Sequence, residues 1–174
     1  NEKYFSLELF NKILNSKKNY LDSFKKIFLS ERSILRNKNY DKWIDLHIIY
    51  KKVINFMQKF NFNEKLYIAT LKDGKSVKYL LESADFNIDS KKIIDNTQIN
   101  TKIQALNLIR QKNKLNINDM IFIDDNIDHL IDPKNNGYTV YLANWCYNIR
   151  EFQIKATKND IKILNKIEEC QLNV

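Results

Sequence analysis

The sequence predicts an α/β fold in which a parallel sheet follows an all-helical N-terminal region. Apolar side chains recur at three- and four-residue steps through the first 65 residues, as in amphipathic helices. From residue 66 onward, short apolar runs alternate with helical segments, a pattern typical of parallel strands joined by crossover helices. Only two Gly and one Pro occur among the 174 residues, which argues against an all-β fold with many tight turns.

The N-terminal region is expected to contain three helices. They cover residues 4–14, 20–35 and about 41–60, and their aromatic and aliphatic side chains are interpreted as a helix-packing core. Residues 1–65 hold 14 Lys and Arg against 7 Asp and Glu, a net charge of +7, whereas residues 66–174 hold 15 against 14, or +1. A basic front half attracts nucleic acid, an acidic membrane surface or a small anionic substrate. The other interpretation is that Lys solvates helices throughout a Lys-rich chain.

The second part of the chain is expected to alternate between strands and helices. Each strand is a short apolar run bounded by polar or turn residues, and the helices between them show one apolar face. Asn100 or Thr101 is a candidate cap for the helix that carries Leu106 and Ile109. The predicted strands are residues 65–70, 92–95, 120–123 and 138–142. The predicted helices are residues 76–83, the capped helix that runs through residues 103–109, and about residues 158–169.

Several classes of protein are disfavoured by composition. No apolar run approaches the roughly 18 residues that a membrane-spanning helix needs, and no signal-peptide pattern is present, so no membrane partner is expected. Cys146 and Cys170 are too few for a disulfide framework and are interpreted as reduced thiols of a cytoplasmic protein. Neither a Gly-rich phosphate loop nor a Gly-x-Ser-x-Gly elbow occurs. The oligomeric state is left open.

In a parallel sheet, ligands bind beyond the carboxyl ends of the strands. Polar residues of three kinds are predicted to lie there. Thr70 ends one predicted strand, Lys102 begins a helix, and Asp124 and Asp125 end another strand, with Asp128 in the same loop. A hydroxyl donates to a phosphoryl oxygen, and an ammonium neutralises the phosphoryl charge. Carboxylates repel phosphate, so their presence implies a hard cation, most simply Mg²⁺, between them.

This order of residues resembles motifs two, three and four of the haloacid dehalogenase-like (HAD) hydrolases. The similarity covers about residues 66–142, and Lys102 precedes Asp124 by 22 positions, as expected for that family. The resemblance implies a three-layer Rossmann-like core over residues 66–174 and a helical cap over residues 1–65. It also implies that Thr70 and Lys102 hold a phosphoryl group, and that Asp124, Asp125 and Asp128 are candidate Mg²⁺ ligands. The implied activity is Mg²⁺-dependent hydrolysis of a small phosphorylated metabolite through an aspartyl-phosphate.

One departure from the family is that no Asp-x-Asp pair, which would supply the nucleophile and the general acid/base, occurs in the sequence. We expect it in a short segment preceding Asn1, together with a first strand that belongs in the middle of the family's sheet, so that the 174 residues alone are inactive. A catalytically inactive HAD-like scaffold is the alternative that keeps the same fold.

Two further alternatives come from other classes of protein. A helical nucleic-acid-binding module would use the basic helices with four aromatic side chains as stacking groups. A receiver domain is disfavoured because its acidic pair precedes its Thr and Lys in the chain. His47 is interpreted as structural, and His129 as a neighbour of the site without an assigned role. The four stacking candidates are Tyr20, Tyr40, Trp43 and Tyr50.

Overall fold

The computed structural model describes residues 7–59, 65–146 and 148–170, except for the side chains of Leu7 and Lys59. Within these ranges the chain forms eight α-helices and five short strands, so the predicted α/β class is confirmed at this level. The chain divides into two compact units, one ending at Ile48 and the other beginning at Ile49, whereas the sequence predicted a boundary at residue 65.

The first unit is helical and is organised around one aromatic side chain. It contains α1 (Leu7–Ser16), α2 (Lys18–Lys38) and α3 (Tyr40–Asp45). Trp43 is 1% exposed and is the one buried residue among the described side chains of this unit, residues 8–48. The guanidinium of Arg32 lies 5.9 Å from the centre of the Trp43 indole, and Nδ1 of His47 lies 2.7 Å from the Trp43 carbonyl oxygen.

Most apolar side chains of α2 are not in a core, which contradicts the interpretation of these residues as helix packing. Tyr20, Phe24, Ile27 and Phe28 are each more than half exposed, although the rings of Phe24 and Phe28 stack on each other. Helical periodicity shows which residues share a face, but it does not show whether anything covers that face. The predicted helix over residues 41–60 is also wrong in extent, because it is interrupted between α3 and α4 (Lys51–Lys59).

The second unit contains two small parallel sheets. In one, β1 pairs with β2, and in the other β4 lies between β3 and β5. Each of the four predicted strands is present in shortened or shifted form. The strands are β1 (Ile68–Ala69), β2 (Ile93–Ile94), β3 (Ile121–Asp124), β4 (Thr139–Ala143) and β5 (Lys162–Leu164), and the further helices are α5 (Gly74–Glu82), α6 (Lys102–Asn113), α7 (Asp128–Asn135) and α8 (Arg150–Lys158).

The two sheets of the second unit contribute to one hydrophobic core. Ile94 of β2, Leu106 of α6, Phe122 of β3 and Leu142 of β4 belong to a single cluster of buried side chains. Burying such side chains contributes roughly 1.5 to 3 kcal/mol each. A second cluster joins Ile54 of α4 to apolar residues near β2. This shared core holds the carboxyl ends of the strands in place relative to one another.

The prediction of a final helix over about residues 158–169 is wrong. The helix α8 ends at Lys158, the backbone of Asp160 has a positive φ of 51°, and the chain then forms β5. Ile161, Leu164 and Ile167 are all buried and three residues apart, so their spacing imitates a helical face. The parallel pairing of Leu142 with Ile163 is a long-range contact, which the local pattern does not reveal.

None of the helices in the described ranges combines the length and the apolar character needed to cross a bilayer.

Candidate functional site

The ammonium group of Lys102 joins two strand ends. Its Nζ donates to the backbone oxygen of Ala69, at 2.6 Å, and lies 3.2 Å from Oδ2 of Asp124. Ala69 ends β1 and Asp124 ends β3, and these strands belong to different sheets. The side chain of Lys102 is only 9% exposed, so the contact is made largely out of water, where a charged pair interacts more strongly than at the surface.

The first turn of α6 explains why Lys102 is held there. Thr101 caps the helix by accepting from the backbone N–H of Gln104, while the Gln104 side chain accepts from the N–H of Thr101. This reciprocal arrangement is a capping box, which fixes the residue that begins the helix. Of the two caps that the sequence allowed, the structure uses Thr101.

The carboxylate of Asp124 is surrounded by donors. Its Oδ1 accepts from the backbone N–H of Asn126, at 2.9 Å, and lies 3.1 Å from Nδ1 of His129, while Oδ2 faces Lys102. Burial by itself raises the pKa of Asp124. The hydrogen bond with His129, the charge of Lys102 and the N–H of Asn126 outweigh burial and hold the pKa below its usual value. Asp124 is therefore an ionised, oriented carboxylate.

Asp125 behaves in the opposite way. Burial, together with the charge of the neighbouring Asp124, raises the pKa of the Asp125 carboxyl. Two adjacent carboxyl groups of this kind repel each other when both are ionised, and a cation between them would relieve that repulsion.

Asp124 and Asp125 offer oxygen ligands of the kind that Mg²⁺ prefers. In the part of the chain that the structure describes, no group of three or more His, Cys, Asp or Glu side chains is arranged to hold a metal ion. Mg²⁺, however, is commonly bound through one or two carboxylates, with water and substrate phosphate completing its coordination. Burial and the charge of Asp124 both raise the pKa of Asp125, and a hard cation that offsets the charge of two neighbouring carboxylates suits this pair.

Thr70 lies directly after β1, next to the carbonyl that Lys102 contacts. The residue is 9% exposed, its backbone N–H donates to the Ile94 oxygen, and its Oγ1 accepts from the backbone N–H of Lys72, at 3.0 Å. Because a hydroxyl can accept and donate at once, this contact leaves its O–H proton available for another acceptor. The structure thus places Thr70 directly after the Ala69 carbonyl that Lys102 contacts, while Lys102 also contacts Asp124.

Asp128 has different surroundings from the acidic pair. Its side chain is 62% exposed and forms an ion pair with Lys155 of α8. An open cleft of about 220 Å³ is lined in part by Lys102, Asp128 and His129. Among the described residues, those that line this cleft do not include Thr70, Asp124 or Asp125. The cleft therefore lies between Lys102 and residues of α7.

Two side chains near the site carried no role in the sequence prediction. His129 contacts Asp124 directly, and only its position five residues after an acidic strand end could have indicated this. Cys146 is a free, half-buried thiol whose pKa is raised by burial and by the charges of Asp125 and Asp124. A protonated thiol is a poor nucleophile, so Cys146 is an ordinary reduced cysteine in this environment.

The aromatic residues proposed as base-stacking groups do not have equal access to solvent. Tyr20 is 71% exposed, and Tyr40 and Tyr50 are also exposed, but Trp43 is buried and so has no free face for a base. The helix α2, which holds six Lys and Arg against two Asp and Glu, is basic and carries exposed aromatic side chains.

No family model, curated protein or solved structure matches this chain.

Proposed function

We propose that this chain is the phosphate- and magnesium-binding part of a HAD-like phosphatase that hydrolyses small phosphomonoesters. The observation that carries the proposal is the position of Lys102, whose ammonium contacts the end of β1 beside Thr70 and the Asp124 carboxylate at the end of β3. A buried ammonium shared by a hydroxyl-bearing strand end and an acidic strand end is suited to bind a phosphoryl group next to a cation.

Each residue has a defined role in this proposal. The Thr70 hydroxyl donates to a phosphoryl oxygen, and the Lys102 ammonium neutralises the charge on the same group. Asp124 and Asp125 hold Mg²⁺, which when bound supplies further positive charge against the phosphoryl oxygens. Asp128 is a candidate only as an outer ligand, because it is exposed and paired with Lys155.

The nucleophile, by the same proposal, is an aspartate outside the 174 residues. It attacks phosphorus, the bond from phosphorus to the ester oxygen breaks, and the leaving alcohol takes its proton from the general acid of the same Asp-x-Asp pair. Water then hydrolyses the aspartyl-phosphate to release the aspartate and inorganic phosphate. We propose that this aspartate ends a strand lying between β1 and β3, which would join the two sheets into the central layer of a three-layer Rossmann-like fold. In the described part of the chain, β1 and β3 are each the edge strand of their sheet, and Lys102 contacts both ends.

Binding of inorganic phosphate tests the site without requiring turnover. ³¹P NMR line broadening of phosphate is followed on addition of the protein, with and without Mg²⁺. Binding should require Mg²⁺ and should weaken by about tenfold or more in Lys102→Ala, because one charge-assisted contact is lost. Lys78→Ala is the matched control, since Lys78 is 40% exposed and forms a surface ion pair with Glu82.

A turnover assay separates a phosphatase from an inactive scaffold. The 174-residue chain should bind phosphate but should not hydrolyse p-nitrophenyl phosphate, whereas a longer polypeptide that also contains an Asp-x-Asp strand should hydrolyse it with Mg²⁺. Unchanged phosphate binding in both Lys102→Ala and Asp124→Asn would overturn the site. Binding without turnover in the longer polypeptide would instead identify a scaffold.

A further inference from the structure

The Asp124 carboxylate is held at both of its oxygens. Asn126 and His129 contact Oδ1, at 2.9 and 3.1 Å, and Lys102 contacts Oδ2 at 3.2 Å. Asn126 lies in the loop between β3 and α7, and Lys102 begins α6. The contact of His129 comes from the first turn of α7, which therefore also helps to fix the carboxylate.

The chemistry of the contact determines which nitrogen of His129 carries a proton. An ionised carboxylate has no proton to donate, so the Nδ1 nitrogen of His129 must be the donor toward Oδ1. The backbone N–H of His129 donates to the Asn126 oxygen, at 3.0 Å, which fixes the start of α7 and hence the position of the ring. The ring is 31% exposed and lines the cleft that reaches Lys102.

We infer that His129 is a positioning residue that orients the Asp124 carboxylate for a divalent cation. This inference rests on the proposed function, because it concerns the same metal site. Donors that orient a ligand carboxylate restrict its rotation and so reduce the entropy lost when the ion binds. Their removal commonly weakens metal affinity by about 10- to 100-fold.

The test replaces His129 with side chains that keep or lose a donor at the Nδ1 position. His129→Asn places its amide nitrogen close to the position of Nδ1, His129→Gln places it close to that of Nε2, and His129→Leu has no donor. The affinity for Mn²⁺, used as a probe for Mg²⁺, is measured from the EPR signal of free Mn²⁺ at one fixed, mildly alkaline pH. His47→Leu, which changes the other histidine of the chain, is the control.

We expect His129→Leu and His129→Gln to lose about tenfold or more in Mn²⁺ affinity, whereas His129→Asn and His47→Leu stay within about threefold of the wild type. A merely structural role would lower thermal stability without this difference between Asn and Gln. If His129→Leu fails to fold, as judged by circular dichroism, the comparison of Asn with Gln still decides the question.

Two results would overturn the inference, and they differ in what else they overturn. Equal Mn²⁺ affinity in the wild type, His129→Asn and His129→Gln would remove the role of His129 and leave the metal site intact. A wild-type protein that binds no Mn²⁺ would overturn the proposed function and the inference together. A ¹⁵N NMR signal of an Nδ1–H imidazole that changes in Asp124→Asn would support the hydrogen bond on which the inference depends.

Discussion

Nζ of Lys102 lies 3.2 Å from Oδ2 of Asp124, and each of the two side chains is 9% exposed. The ion pair joins the start of α6 to the end of β3, and the same ammonium reaches the carbonyl of Ala69 at the end of β1. The pair is therefore part of the packing of the second unit as well as of the proposed site.

Asp124→Asn should destabilise the protein strongly. The substitution leaves the Lys102 ammonium largely buried without a counter-charge, which costs about 3 kcal/mol in the free energy of unfolding. Urea unfolding at neutral pH measures the change. Lys78→Ala is the control, because it breaks an exposed ion pair with Glu82 and should cost less than about 0.5 kcal/mol. Equal effects of the two substitutions would contradict the burial of the pair.

The acid dependence of stability should include a contribution from Asp124. Its pKa is lower in the folded chain than in the unfolded chain, so the unfolded chain takes up the proton first as pH falls. The stabilising contribution is complete above the unfolded pKa and is lost as pH falls through the folded pKa. When the free energy of unfolding is measured in urea across this acid range, it should fall less steeply with falling pH in Asp124→Asn than in the wild type.

The acid dependence of the free energy of unfolding should not vanish in Asp124→Asn, because Asp95 contributes to it as well. Burial raises the pKa of Asp95, but hydrogen bonds from Thr97 and from the backbone N–H of Gly74 outweigh burial, so the pKa is lowered overall. An identical acid slope in the wild type and Asp124→Asn would show that the carboxylate is not held as described.

Asp125→Asn should stabilise the metal-free protein at neutral pH. The pKa of Asp125 is raised in the folded chain by burial and by Asp124, so ionisation of Asp125 opposes folding. The loss of stability develops as pH rises from the unfolded pKa through the folded pKa, and the substitution removes it. The free energy of unfolding is compared at neutral and at acid pH. Asp160→Asn is the control, because Asp and Asn both tolerate the positive φ of position 160. A destabilised Asp125→Asn at neutral pH would contradict the repulsion.

Trp43→Ala should unfold the first unit selectively. Trp43 is 1% exposed and is the one buried side chain described among residues 8–48, so its truncation should cost about 3 to 5 kcal/mol. Hydrogen exchange of the full chain should show faster exchange in α1 to α3, with α6 and β3 unchanged. Tyr20→Ala, at a side chain that is 71% exposed, should have little effect, and equal effects would count against Trp43 as the core of this unit.

The sequence predicted the strands around the site well because each is a short apolar run that ends in a polar residue. Met120 to Asp125 combines an apolar strand with two acidic residues, and β3 ends at Asp124 as expected. The expectation that Thr70, Lys102 and Asp124 converge came from the rule that ligands bind beyond the carboxyl ends of parallel strands, although β1 and β3 belong to different sheets. In the structure, the Lys102 ammonium contacts Asp124 and the carbonyl of Ala69, the residue before Thr70.

The errors and omissions concern features that the local pattern of apolar and polar residues does not encode. Ile161, Leu164 and Ile167 have helical spacing, but the pairing of β5 with β4 decides their conformation. The exposure of Phe24 and Phe28 in α2 depends on whether another surface covers them, which periodicity does not encode. The contact of His129 with Asp124 depends on the turn between β3 and α7, in which the Asn126 N–H donates to Asp124.

Anomalous diffraction from crystals soaked with Mn²⁺ and tungstate, a phosphate analogue, would show whether a cation and a phosphoryl group bind beside Lys102. We expect a manganese peak about 2.1 Å from a carboxylate oxygen of Asp124 or Asp125, and tungsten beside the Lys102 ammonium and the Thr70 hydroxyl. Manganese bound elsewhere, or tungstate bound only along the basic helix α2, would contradict this site.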